Sequence, residues 1–379
     1  MPRIASPSSD RTRERVLPEH ARLHNLVLVL RSLFHGGAMS RADLARATGL
    51  TRVTTSGLIA ELIGQGIVVE KGTRASAGPG KPAVLVDLDR VGLQVVALDL
   101  SGADEYHGAL MDLRGAVIAR RRVRRESEES SSQAQAAVVG LARDLVQAAD
   151  SRLLGVGVGS PGVISEDGVV LEAPNIGWQG VPLRQLLQDE LGVPVVVGND
   201  ANAAAQAEYT LGETEPDLLL IRVGRGVGAG LLIRGMLVTG THHAAGEIGH
   251  VPVGEDAPDA PSCACGNIGC LEAWISVPRL TAALHREGAD REAILRGAGA
   301  RLGTVLAPVV SMLNLSDVVV AASPTLFGDI FLDAAGENLR SHTLGRSHAE
   351  VRMRVPAESE EIVLRGALVM VLSSELGIS

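Results

Sequence analysis

The residues best suited to chemistry are the cysteines, because all three in the chain lie between positions 263 and 272. Cys263, Cys265 and Cys270 have C-x-C and C-x4-C spacing, and the glycines between them allow the backbone to turn tightly. Thiolates in this arrangement can converge on one tetrahedral zinc ion, and His250 is the nearest upstream candidate for a fourth ligand. The sequence therefore predicts a structural zinc site; the alternative is a cysteine-rich surface loop without metal.

Charge is divided unevenly along the chain. Residues 1–90 contain 13 Lys and Arg against 8 Asp and Glu, whereas the remaining residues contain 22 against 36. A basic head on an acidic body suggests that the head contacts a polyanion and the body does not. We expect no membrane partner, because the sequence has neither a signal peptide nor an apolar run of membrane-spanning length. An odd number of cysteines in a metal-like cluster favours the reducing cytoplasm.

The basic head has the pattern of a winged helix-turn-helix. Ser40 is placed to cap one helix, and Gly49 supplies the turn before another helix that starts at Thr51. Two β runs on either side of a Gly- and Pro-rich loop then predict the wing. The polar N-terminal tail is expected to be flexible.

Short polar side chains and one arginine open the helix that starts at Thr51. Such side chains can reach base edges and phosphates in a major groove, and the thin loop of the wing can enter a minor groove. A small helical bundle without a DNA role is the alternative. The residues expected to contact DNA are Arg41, Thr51, Arg52, Thr54, Thr55, Ser56, Arg74, Gly80 and Lys81.

After residue 90 the sequence changes to an α/β pattern. A buried strand at 94–100 is followed by two further strands and a helix, and a β-β hairpin after a helix returns near 218–233. This repetition predicts two related lobes with a cleft between them. The expected organisation is a flexible tail at 1–20, the winged helix-turn-helix at 21–90, a first lobe at 91–199 plus 359–379, and a second lobe at 200–358.

The body resembles the ROK family of repressors, open reading frames and sugar kinases. A Gly-Glu-Ile-Gly-His segment followed by C-x-C-G-x-x-G-C-x-E is matched from Gly246 to Glu272, and an Asn-Asp-Ala-Asn element at 199–202. The resemblance implies an α/β architecture with a two-lobed, actin-like (ribonuclease-H-like) sugar-kinase fold. With the winged helix-turn-helix in front, the chain is similar to the ROK repressors of carbohydrate metabolism.

The same resemblance implies a sugar site in the cleft. Carboxylates and amides can hold sugar hydroxyls in a fixed array. His250 would join the zinc to the sugar through its two ring nitrogens, although Glu272 could instead serve only to pair with the metal loop. The residues implied as sugar ligands are Asn199, Asp200, Glu247, His250 and Glu272, and Asn175 is expected to line the same cleft.

The phosphate-binding loops that the resemblance implies for ROK kinases are altered here. Where Asp-x-Gly-Gly-Thr-Lys is expected, residues 99–104 read Asp-Leu-Ser-Gly-Ala-Asp, and Asp104 would repel a phosphate. Arg225 replaces the Thr of a Gly-Thr-Gly loop, and 319–323 lacks a glycine pair. We therefore expect that ATP binding is lost and that Asp200, the catalytic base position of the kinases, acts only as a sugar ligand.

Together these features predict a sugar-responsive transcriptional regulator of the repressor type, not an enzyme. The expected partners are operator DNA and a small sugar or sugar phosphate, and the expected assembly is a homodimer or a dimer of dimers. An active sugar kinase with an accessory DNA-binding head is the enzymatic alternative. A regulator controlled by a partner protein, without a small ligand, is a third.

Overall fold

The computed structural model describes residues 18–74, 82–126, 129–212, 214–344 and 351–378. Within these ranges the N-terminal part forms a helix-turn-helix with a small antiparallel sheet in the order β1-β3-β2. Its elements are α1 (Pro18–Gly36), β1 (Met39–Ser40), α2 (Arg41–Thr48), α3 (Arg52–Gly64), β2 (Val68–Arg74) and β3 (Ala83–Leu88). Because α1 begins at Pro18, the last three residues of the predicted tail are helical; the rest of that tail lies outside the described residues.

Local capping explains where α2 and α3 begin and end. The Ser40 hydroxyl accepts a hydrogen bond from the Asp43 backbone N–H, and the Asp43 carboxylate accepts one from the Ser40 N–H. Gly49 ends α2 with φ of 70°, a left-handed conformation that favours glycine. Thr51 then caps α3 by accepting a hydrogen bond from the Thr54 N–H. Each of these signals lies within a few residues of the helix end that it fixes.

The first lobe is built on a mixed five-stranded sheet in the order β11-β7-β4-β5-β6. Strands β4, β7 and β11 are parallel, so their carboxyl ends meet at one edge, whereas β4, β5 and β6 are antiparallel neighbours. The elements are β4 (Leu93–Asp99), β5 (Glu105–Asp112), β6 (Val117–Arg124), α4 (Ser131–Gln147), β7 (Arg152–Ser160), α5 (Leu183–Leu191) and β11 (Val195–Asn199). A small sheet of β8 (Val163–Ile164), β9 (Val170–Ala173) and β10 (Trp178–Val181) stands beside it.

The second lobe repeats this arrangement with a sheet in the order β14-β13-β12-β15-β16. Its strands are β12 (Leu218–Val223), β13 (Val227–Ile233), β14 (Met236–Leu237), β15 (Asp317–Ala321) and β16 (Arg352–Arg354). Its helices are α7 (Leu271–Ile275), α8 (Val277–Leu284), α9 (Arg291–Leu313) and α10 (Pro324–Ser341). Among the described residues, α9 is the one helix long and apolar enough to span a membrane, but half of its apolar window is buried inside the protein.

Two helices connect the lobes and the N-terminal domain. α6 (Asp200–Leu211) packs on β12 and β13 of the second sheet, and α11 (Ile362–Leu376) packs on α6 and on β4, β7 and β11 of the first. The N-terminal domain in turn packs on the end of α11, where the Arg31 Nε donates to the Gly377 carbonyl at 2.8 Å. Residues of α1, α3, β4 and α11 share one apolar core. The helix-turn-helix is therefore packed directly against the body.

Candidate functional site

A cavity of about 200 Å³ opens between the two sheets and is lined by residues of both lobes. All of the predicted sugar-binding residues line it: Asn175, Asn199, Asp200, Glu247, His250 and Glu272. Three arginines also reach the cavity, Arg125, Arg222 and Arg225. The lining is thus rich in both hydrogen-bond donors and acceptors, which suits a polyhydroxylated ligand.

Asp200 stands where β11 ends and α6 begins, and its carboxylate is buried. One oxygen accepts a hydrogen bond from the Ala201 N–H at 3.0 Å, and the other accepts one from Arg222 Nη1 at 2.8 Å. Burial raises the pKa of Asp200, and the Arg222 charge opposes this increase. The sequence analysis did not select Arg222. Its signal was an arginine inside the apolar strand 218–223, a position where a charge requires a partner.

The two asparagines of the site are held in different ways. The Asn199 side chain caps α6 by accepting from the Asn202 N–H at 3.0 Å, and its amide nitrogen donates to the Gly162 carbonyl at 3.0 Å. Asn175 lies in a short 3-10 turn close to Glu272. A methyl group at Gly226 would stand 2.8 Å from the Asn175 amide nitrogen and 2.8 Å from Glu272 Oε2, so this approach depends on glycine.

The ligand atoms of His250, Cys263, Cys265 and Cys270 all lie within 4.8 Å of one another. Cys263 Sγ is 3.6 Å from His250 Nδ1, and Cys265 Sγ is 3.7 Å from Cys270 Sγ. Tetrahedral zinc with Zn–S bonds of ~2.3 Å requires sulfur atoms ~3.8 Å apart, so the residues present fit the ion. Burial raises the pKa of the Cys270 thiol to about 12, so a bound cation is what would make this thiol a thiolate ligand.

His250 lies between the cysteine cluster and the cavity. Its Nδ1 faces Cys263, whereas its Nε2 is 3.9 Å from Glu247 Oε2. Burial raises the pKa of Glu247, and the nearby His250 opposes this. Glu272 also touches both regions, because Oε2 accepts from the Val227 N–H at 3.0 Å and Oε1 is 3.6 Å from Cys263 Sγ. Glu272 therefore contacts a sulfur of the cysteine loop and also lines the cavity.

The described residues that are expected to contact DNA differ in their exposure. Arg52 and Ser56 are exposed at the start of α3. Thr55 is fully buried and its hydroxyl donates to the Thr51 carbonyl, so the prediction that Thr55 contacts DNA is wrong. Helical periodicity places Thr55 on the inner face with Leu58, because a helix turns once every ~3.6 residues.

The remaining predicted contacts lie on α2 and the wing. Arg41 Nη2 lies 3.1 Å from Glu70 Oε1 on β2, and the Arg41 side chain is partly exposed. Arg74 ends β2. Gly80 and Lys81 lie outside the described residues.

A family model for the ROK family matches residues 95–374. The chain belongs to the ROK family. It is 31% identical to a xylose repressor of Caldicellulosiruptor bescii over 93% of this chain and 96% of that protein. The fold is similar to a ROK family transcriptional regulator described as a homolog of the Escherichia coli MLC protein, with a TM-score of 0.80 and 22% identity over 95% and 98% of the two chains.

A ROK family glucokinase from Streptomyces griseus, solved with glucose and AMPPNP, aligns over 73% of this chain and 98% of its own, with a TM-score of 0.61 and 25% identity. The two lobes of the present chain therefore have the ROK sugar-kinase fold, and the N-terminal domain is added to it. At residues 99–104, where the sequence analysis expects an altered phosphate loop, Arg225 Nη1 donates to the Ala103 carbonyl at 3.2 Å and Arg125 Nη1 to the Gly102 carbonyl at 3.2 Å. Arginines of both lobes hold this loop.

Proposed function

We propose that this ROK protein is a sugar-responsive, DNA-binding transcriptional repressor of carbohydrate metabolism. The observation that carries the proposal is a polar cavity between the lobes in a chain that also contains a helix-turn-helix. The exposed start of α3 supports the DNA role, since residues 52–60 contain one arginine and no carboxylate. Because a full-length relative is named a xylose repressor, xylose is the first effector to test.

The packing between elements supports communication from the sugar to the DNA. Asp200 is the first residue of α6, and α6 crosses α11 so closely that a methyl group at Gly366 would stand 2.1 Å from the Ala203 carbonyl. The end of α11 carries the N-terminal domain. A sugar that prefers one arrangement of α6 and α11 would favour one placement of the DNA-binding helices, which is the requirement for allosteric control.

The rest of the proposal concerns cofactor, assembly and chemistry. One structural zinc bound by His250 and the three cysteines would hold the imidazole tautomer that faces the sugar. The protein would act in the cytoplasm as a homodimer or a dimer of dimers, with domain boundaries near residues 21–90, 91–199 plus 359–379, and 200–358. It would not be a kinase. Arg222 is hydrogen-bonded to Asp200, the position of the catalytic base in the kinases, and the charge of Asp104 would repel a phosphate.

Operator binding titrated with sugars tests the function. The full-length protein should bind its own upstream DNA, and xylose or a related sugar should weaken that binding. ATP turnover on a panel of pentoses and hexoses would instead support the kinase alternative. Binding that no sugar or sugar phosphate alters would favour control by a partner protein.

Glu247→Gln should retain operator binding and respond to sugar only at higher sugar concentrations. The substitution removes a charged acceptor from the cavity, and hydrogen bonds to charged groups contribute ~1.5–3 kcal/mol, so sugar affinity should fall about 10- to 100-fold. Calorimetry with the sugar and operator titrations measure the two effects. Glu255→Gln, an exposed carboxylate outside the cavity, is the matched control. Equal sugar affinity in both variants would remove Glu247 from the site.

Arg52→Ala should weaken binding to all duplexes and reduce its salt dependence. If each Arg52 neutralises one phosphate, the slope of log K against log salt should decrease by ~0.9 per protomer bound. Arg296→Ala, an exposed arginine on α9, is the control with the same change of charge. If Arg52→Ala changes the slope of log K against log salt no more than Arg296→Ala does, Arg52 does not contact the DNA.

A further inference from the structure

The side chain of Arg222 crosses from the second lobe to the first. Arg222 lies on β12, but its guanidinium bonds to groups at the carboxyl edge of the first sheet. Nη1 donates to Asp200 Oδ2 at 2.8 Å, and Nη2 donates to Ser101 Oγ at 2.6 Å and lies 4.0 Å from Asp99 Oδ2. Asp99 ends β4, Ser101 lies just beyond it, and Asp200 directly follows β11, so one side chain of the second lobe contacts the ends of two strands of the first sheet.

The positive charge of Arg222 offsets the repulsion between the carboxylates of Asp99 and Asp200. Asp99 and Asp200 are both buried, and the charge of Asp99 contributes to the raised pKa of Asp200, so the two carboxylates interact. Ser101 adds a bond to Asp99, which keeps that carboxylate in place beside the guanidinium. Without the positive charge, two buried carboxylates would face each other where the lobes meet, which is strongly unfavourable.

The same contact forms part of the wall of the ligand cavity. Ser101, Asp200 and Arg222 all line the cavity, so a molecule bound there would lie beside the bridge itself. A sugar hydroxyl that donates to Asp200 shares this carboxylate with Arg222. Such a ligand would change the strength or geometry of the contact between the lobes.

We propose that Arg222 is an inter-lobe bridge that couples occupation of the cavity to the relative position of the lobes. The identity of the ligand as a sugar rests on the proposed function, whereas the bridge rests on the contacts of Arg222. Arg222 is a positioning residue in this proposal: it sets the separation of the lobes, and the ligand modifies that separation through Asp200. Its loss should uncouple sugar binding from operator release.

A matched control exists in the second lobe. Arg354 is also bound to two carboxylates, Glu208 and Asp317, and its side chain is 16% exposed compared with 17% for Arg222. Neither Arg354 nor these two carboxylates line the cavity. Arg222→Met and Arg354→Met therefore remove similar ion pairs, and only the first acts across the cleft.

Hydrogen exchange of the full-length protein without sugar tests the bridge. Backbone amides of residues 99–104 should exchange at least tenfold faster in Arg222→Met than in Arg354→Met, which loses a similar ion pair away from the cleft. Equal exchange of this segment in the two variants would overturn the inference. If Arg222→Met does not fold, Ser101→Ala removes the bond from Arg222 to Ser101 together with the bond from this hydroxyl to Asp99, and it should accelerate the same amides.

Operator binding tests the coupling. In Arg222→Met, saturating sugar should change the operator affinity less than twofold, whatever the affinity of this variant without sugar. A wild-type response in this variant would contradict the coupling. If wild type itself responds to no sugar, the proposed function fails, and the exchange experiment still decides whether Arg222 bridges the lobes.

Discussion

Replacing Cys270 with serine should remove the zinc that we propose and lower the stability of the second lobe. Cys270 is fully buried, and its sulfur lies 3.7 Å from Cys265 Sγ and 3.5 Å from the His250 carbonyl. A serine hydroxyl is a poor zinc ligand in a site that otherwise has two thiolates and an imidazole. Structural zinc contributes ~10–16 kcal/mol to the folding of small zinc-binding peptides, so we expect a loss of at least about 3 kcal/mol here.

Metal analysis and thermal denaturation measure this result. Wild type should contain about one zinc per chain, as a site of four protein ligands predicts, and Cys270→Ser should contain much less. Ser262→Ala, at an exposed position in the same loop, should retain the metal. A chelator should lower the melting temperature of wild type and not that of Cys270→Ser. Full zinc content in the variant would refute the site.

Loss of zinc should also weaken sugar binding. The loop that carries the cysteines leads directly into α7, where Glu272 lies, and His250 would lose the partner of its Nδ1. Both side chains line the cavity. We therefore expect Cys270→Ser to bind sugar at least tenfold more weakly, because substitutions that disturb the orientation of site ligands cost ~10- to 100-fold.

The sequence predicted those parts of the site that depend on spacing along the chain. Cysteine spacing predicted the cluster of Cys263, Cys265 and Cys270, whose ligand atoms the structure brings together with His250. Arg222 was missed because its partners Asp99 and Asp200 are far away in sequence, and no local pattern brings them together. Glu272 was ambiguous for a similar reason, since its contact with the Val227 N–H depends on how two loops meet.

The same distinction applies to the fold. The helix-turn-helix was predictable because Ser40, Gly49 and Thr51 mark helix ends locally. Helix α10 was missed, and it contains a kink at Gly328 where two helical segments join, which interrupts the periodic signal. Strand β16 was missed because it is three residues long and pairs with a distant strand. Thr55 was wrongly assigned because polarity was considered without the helical period.

Arg354→Met should be among the most destabilising single substitutions in the body. Arg354 donates from Nε and Nη2 to the two oxygens of Asp317 at 3.1 and 2.8 Å, and from Nη1 to Glu208 at 2.5 Å. Glu208 and Asp317 are 8% and 5% exposed, so both carboxylates would be left buried without this partner. Removing one member of a buried pair costs ~3–5 kcal/mol, mostly from the charge that remains.

A combined variant distinguishes two causes of this instability, the unpaired buried carboxylates and the lost packing of the arginine side chain. If buried carboxylates cause the instability, Arg354→Met together with Asp317→Leu and Glu208→Met should recover most of the stability, because apolar replacement of a whole buried ion network is often neutral or stabilising. Urea denaturation of the three proteins gives the free energies of unfolding. A triple variant as unstable as Arg354→Met alone would mean that Arg354 acts through the geometry of β15, β16 and α6. The charges that it neutralises would then not be the cause.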